Sequence, residues 1–117
     1  QDDAASIIDK LCHADAVAFA TPIYYYGMCG QMKTLLDRSN PLFPSDYAFR
    51  DIYLLATAAD SAESSMDGAV KGLEGWIACF EKAALRGVVR GTGADGAGTI
   101  LHVPAALKSA FELGNKA

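Results

Sequence analysis

Apolar residues at Ala4, Ile7, Ile8, Leu11 and Cys12 recur at i, i+3, i+4, i+7 and i+8. That spacing puts them on one face of a helix, so the pattern predicts an amphipathic helix over 2–13. Asp2 or Asp3 is placed to accept hydrogen bonds from its free first-turn amides. Ala16-Val17-Ala18-Phe19-Ala20 breaks the period. Apolar without alternation, it reads as a short strand covered on both faces, as in parallel sheets, and Pro22 stops it. A second helix fits Gly27 to Ser39, with Met28, Met32, Leu35 and Leu36 on one face. It ends at Asn40-Pro41 because a residue before proline avoids helical ψ. Residues 40–50, with prolines and Ser45-Asp46, read as a surface loop. Ile52–Thr57 is a second buried strand.

A third helix starts near Ser61 and carries the stripe Met66, Val70, Leu73, Trp76, Ile77, Phe80 and Ala84. Gly68, Gly72 and Gly75 each cost it about 1 kcal/mol against alanine, so packing has to hold it. Gly87 suits a C-terminal cap, and Gly87–Gly91 reads as a third, short strand. A glycine-rich loop over 91–98 leads to Pro104, which opens a last helix ending at Gly114. Helices and strands alternate strictly, which implies an α/β fold with a parallel sheet and helices on both faces. Three strands make a narrow sheet for that architecture.

Composition narrows the function. The chain has 117 residues, enough for one domain, and 51% are apolar. Acidic side chains outnumber basic ones 14 to 10, for a net charge of -4, which disfavours nucleic-acid binding. No apolar run reaches the length of a membrane span, and residues 1–15 carry acids where a signal peptide needs a basic start. Cys12, Cys29 and Cys79 form no CxxC pair. Neither a disulfide framework nor a metal site is expected, and a cytoplasmic setting follows.

Open parallel sheets bind ligands beyond the carboxyl ends of their strands. After the first strand comes Thr21-Pro22-Ile23-Tyr24-Tyr25-Tyr26-Gly27, and after the second Thr57-Ala58-Ala59-Asp60. Three consecutive tyrosines offer flat apolar faces with polar tips, suited to stacking on a planar ring. The small residues at Thr57–Ala59 would let backbone amides approach a ring edge. The plainer alternative is a packed loop whose aromatics cover the sheet end.

The run Thr21-Pro22-Ile23-Tyr24 through Gln31-Met32-Lys33 to Leu36-Asp37-Arg38 resembles a signature of the flavodoxin-fold NAD(P)H-dependent FMN reductases. The likeness extends to the helix before it, the Leu54–Thr57 strand and the end of the chain from Pro104. It implies a flavodoxin-like three-layer α/β/α fold and an FMN-dependent oxidoreductase with NAD(P)H as donor and a small-molecule electron acceptor. Thr21, Pro22, Ile23 and Tyr24 would lie against the isoalloxazine ring, with Tyr25, Tyr26, Gly27 and Met28 at its rim. Thr57, Ala58 and Ala59 would meet its polar edge through their backbones. Gln31, Lys33, Asp37 and Arg38 would be structural, and no side chain is expected to be catalytic, since the flavin carries the chemistry.

Family members begin with a strand, a phosphate-binding loop, a helix and a second strand, none of which this chain contains. The expectation is a C-terminal part of such a domain over 1–117, supplying only strands three, four and five. The uncovered edge at Ala16–Thr21 then predicts pairing with another chain, in a homo-oligomer or a swapped assembly. An electron-carrying flavodoxin and a non-catalytic α/β pairing module are the alternatives. Gly91-Thr92-Gly93-Ala94-Asp95-Gly96 matches GxGxxG, but the helix at Pro104 starts too late for a dinucleotide fingerprint. It reads instead as a flexible loop bending close to the cofactor mouth.

Overall fold

The computed structural model describes residues 2–117. Its helices are α1 (Ala4–His13), α2 (Gly30–Asp37), α3 (Asp67–Ile77) and α4 (Pro104–Lys116), and its strands β1 (Ala16–Tyr24), β2 (Gly27–Met28), β3 (Asp51–Thr57) and β4 (Ala84–Gly91). The sheet order is β2-β1-β3-β4. β1, β3 and β4 run parallel, with Ala16 beside Asp51 and Asp51 beside Ala84, while β2 folds back antiparallel on the end of β1. The expected three-layer α/β/α arrangement is observed, with the two-residue β2 added.

Side-chain alternation along the strands decides which layer covers what. Val17 and Phe19 of β1 and Ile52 and Leu54 of β3 point to one face, where they form one core with Leu11 of α1, Met32 and Leu36 of α2, and Leu73 and Ile77 of α3. Tyr47, Phe49, Trp76 and Phe80 close it as an aromatic cluster, with Tyr47 on Phe49 and Trp76 on Phe80 each at 4.6 Å between ring centroids. Trp76 Nε1 donates to Ser39 Oγ at 2.8 Å. Burial of Leu73 and Ile77 contributes about 1.5–3 kcal/mol each, which offsets the cost of the three glycines in α3.

On the opposite face α4 lies over β4. Gly87 is the contact point: a Cβ there would sit 2.5 Å from Leu113 Cδ1. Gly87 is therefore a strand residue, as the reading of Gly87–Gly91 has it, and caps no helix, since α3 ends at Ile77; Ala84 belongs to β4 and not to the third helix. That helix is also shorter at its start. A 3-10 turn, Glu63–Met66, precedes it, and Asp60 Oδ1, not Ser61, accepts from the entering backbone at Ala62 (2.8 Å). The second helix begins at Gly30, since the residues before it are drawn into the β2 hairpin. At α1, Asp2 Oδ1 accepts from the Ala4 amide at 3.1 Å, and the Asp3 side chain caps nothing.

β1 departs most from its reading. It alternates, with Val17, Phe19 and Thr21 buried but Ala16, Ala18, Ala20 and Pro22 exposed. Among the described residues no helix covers that alanine face, so the unbroken apolar run marks a strand covered on one face. Beyond its free edge lies a groove of about 1030 Å3 between α1 and α2, lined by Ile7, Leu11, Phe19 and Leu35 among others.

Candidate functional site

The loop after β1 is a tight hairpin. Ile23 pairs with Met28 and Tyr24 with Gly27, leaving Tyr25 and Tyr26 as a two-residue turn with φ of 50° and 64°. Two positive φ values identify a type I′ turn, which usually takes Asn and Gly. Two tyrosines there carry backbone strain on the order of 1–3 kcal/mol each. Specific contacts hold the turn. Thr21 Oγ1, buried, accepts from the Cys29 amide at 2.9 Å and donates to Pro22 O at 2.6 Å. Tyr26 donates its hydroxyl to Asp60 Oδ2 at 3.2 Å. Behind the turn, α3 presents Gly68, where any Cβ would overlap the Tyr26 carbonyl oxygen.

At the carboxyl ends of β1 and β3 a pocket of about 470 Å3 opens between three walls. Pro22, Ile23 and Tyr24 form one, Thr57, Ala58 and Ala59 the second, and residues 94–98 with Ile100 the third. Six of the eleven residues singled out in the sequence thus line one cavity. The other five lie elsewhere. Thr21 is committed to the hairpin, Gly27 pairs with Tyr24, and Tyr25 projects fully into solvent. Tyr26 turns to Asp60, and Met28 points inward toward α3, where a Cβ on Gly72 would lie 3.0 Å from its Cε. The 94–98 loop was legible as a neighbour of the mouth from its glycines. Ile100 was not, because its place depends on the 3-10 turn Thr99–His102 folding back toward the sheet.

The backbone of the second wall is partly spent. The Ala58 amide donates to Gly91 O at 2.9 Å, and Ala58 O accepts from Ala94 at 2.8 Å, which ties the wall to the third one. Gly93 donates to Asp60 O at 3.1 Å, and Gly98 turns the loop with a φ of 80°. Arg90 fastens the start of α3 to β4 by donating to Glu63 O at 2.7 Å and to Asp67 Oδ1 at 2.8 Å.

The pocket is apolar in character, with Asp95 the one acidic side chain in its lining and no lysine or arginine. Its volume lies within the range of small-molecule sites. A flat aromatic ring suits this lining, whereas a phosphate would meet no cation there. Elsewhere, Lys33 pairs with Asp37 at 2.6 Å along α2, and Arg38 bridges to Asp2 on the approach to α1. That bridge and the Ala4 amide hold the Asp2 carboxyl below the usual aspartate value. Cys29 is buried at the head of α2, and all three cysteines are free.

A parallel sheet with helices on both sides, and a ring-sized pocket at the carboxyl ends of its strands, defines a flavodoxin-like α/β protein. A model of the family described as NADPH-dependent FMN reductase matches residues 1–93, and the chain belongs to that family. YwqN of Bacillus subtilis, named as an NAD(P)H-dependent FMN-containing oxidoreductase, is 31% identical over 97% of this chain and 66% of its own length. This chain therefore spans just under two thirds of that relative. An iron-sulfur flavoprotein of Methanocaldococcus jannaschii is 42% identical over 41 residues, which are 35% of this chain and 21% of that protein. Among solved structures, the Trp repressor binding protein of Bacillus subtilis superposes with a TM-score of 0.77 at 27% identity, over 92% of this chain and 73% of that one.

Proposed function

We propose that the chain forms the ring-binding side of an NAD(P)H-dependent FMN oxidoreductase site. The convergence of Pro22–Tyr24, Thr57–Ala59 and residues 94–98 on one pocket carries this reading. Bound FMN would supply the redox chemistry, taking hydride from a nicotinamide and passing electrons to an acceptor. The protein's part is positional. Pro22, Ile23 and Ile100 offer apolar contact to a planar ring, Tyr24 an aromatic face, and Ala58 and Ala59 the room for a close approach. No side chain is assigned a catalytic role.

The acceptor is read as a small molecule, because the mouth carries Tyr24 and only one charged side chain, Asp95, in its lining. Strong acidity around the mouth would instead have favoured an electron carrier. Three free thiols support a reducing compartment such as the cytoplasm. The open edge of β1 supports pairing with a second chain.

Fluorescence titration with FMN and with lumiflavin, which lacks the ribityl phosphate, tests the reading. Quenching by both, with similar Kd values, is expected of a site that holds the ring and no phosphate. Absence of quenching by either flavin overturns it.

A further inference from the structure

Among the described residues, Asp60 is the one bonded both to the hairpin and to the loop of the third wall. Its Oδ2 accepts from the Tyr26 hydroxyl, its Oδ1 from the Ala62 amide and its main-chain oxygen from the Gly93 amide. Asp60 itself follows directly on Thr57–Ala59, the second wall. Two segments far from it in sequence, the hairpin and the third loop, are thus pinned to one exposed aspartate at the rim of the pocket. The pinning matters because the hairpin is strained at Tyr25 and Tyr26, and strain persists only where surrounding contacts over-determine it. The sheet holds one side of the hairpin through the Ile23 and Tyr24 pairs. The Tyr26–Asp60 bond holds its tip.

We propose that Asp60 is a positioning residue for the pocket, fixing the separation of its walls at the spacing a planar ring enters. It acts through Tyr26 and Gly93 and does not touch the ring. The proposal rests on the reading of the pocket as a flavin-ring site. A wall spacing set in advance removes the cost of ordering the loops on binding, so its loss appears in affinity.

The test uses the full 117-residue chain and two readouts: the lumiflavin Kd, and the rate of chymotryptic cleavage between Tyr24 and Gly27 without ligand. Tyr26→Phe removes only the hydroxyl, and Asp60→Ala removes both side-chain bonds. Each is expected to raise the Kd and the cleavage rate roughly three- to tenfold, the scale of one ordinary solvent-exposed hydrogen bond. The double variant is expected to be no worse than Asp60→Ala alone. Asp60→Asn should restore both, since its amide oxygen can accept from Ala62 and its NH2 can donate to the tyrosine oxygen. Wild-type binding with unchanged variants, or effects that simply add, overturns the positioning role and leaves the ring site standing. A wild-type chain that takes no lumiflavin removes the ring site and the positioning role together, whatever the cleavage rates.

Discussion

Gly68 of α3 lies directly against the carbonyl oxygen of Tyr26, with no room for a Cβ between the two backbones. Helix and hairpin therefore meet backbone to backbone. Gly68→Ala gains about 1 kcal/mol of helix propensity, but it forces backbone apart at a cost of about 1–3 kcal/mol. Net destabilisation is expected in urea unfolding. Gly75→Ala, in the same helix with nothing within 4 Å of the new methyl, should stabilise. If both substitutions stabilise, the contact at Gly68 is not tight.

Thr21→Val keeps the shape of a buried residue but strips the acceptor from the Cys29 amide. An unpaired buried N–H costs about 1–3 kcal/mol, so a loss of that size is expected, with Thr21→Ser close to wild type. Equal stability of all three proteins would show that the hydroxyl is not holding the hairpin.

Tyr24 is 62% exposed at the pocket mouth, an uneconomical place for an aromatic unless something lies on it. Tyr24→Ala is expected to weaken flavin binding by about 1–2 kcal/mol, the scale of a stacking contact. Folding stability should hardly change. Unaltered affinity would detach Tyr24 from the ring.

The Asp2–Arg38 bridge ties the start of the chain to the end of α2. The folded-state pKa of Asp2 is depressed. Its contribution is therefore present above the usual aspartate value and lost as pH falls through the depressed one. Acid titration followed by NMR should show Asp2 protonating below the usual aspartate value, and Arg38→Gln should bring it up toward that value. An Asp2 midpoint indifferent to Arg38 would break the assignment.

The uncovered edge and face of β1 should drive association. Light scattering over a concentration series is expected to show a mass above that of one chain, and Ala20→Lys, which puts a charge on the exposed face, should lower it. A strictly monomeric wild type at high concentration counts against pairing through β1.

Much of the architecture was legible because short apolar segments alternating with helical periods have few packed solutions. The failures each have a cause. Nothing local in Tyr25-Tyr26 announces a type I′ turn, since the residues that favour positive φ are absent, and the turn exists because Asp60 and Gly68, 34 and 42 positions beyond Tyr26, meet it. Gly87 suits both a helix cap and the strand read over Gly87–Gly91, and the close approach of Leu113 is why that strand position needs a glycine. The pocket's first two walls were legible because each lies at the carboxyl end of a strand. Ile100 needed the course of the whole third loop.

The exposed row Ala16, Ala18 and Ala20 has a consequence for whatever comes to lie on it. Alanine has no rotamers to freeze, so covering this face draws almost nothing from side-chain entropy. Methyl groups also let a facing backbone approach more closely than larger side chains would permit. A neighbour here would be selected by the smoothness of its own surface, with small residues against small residues, and not by interlocking knobs.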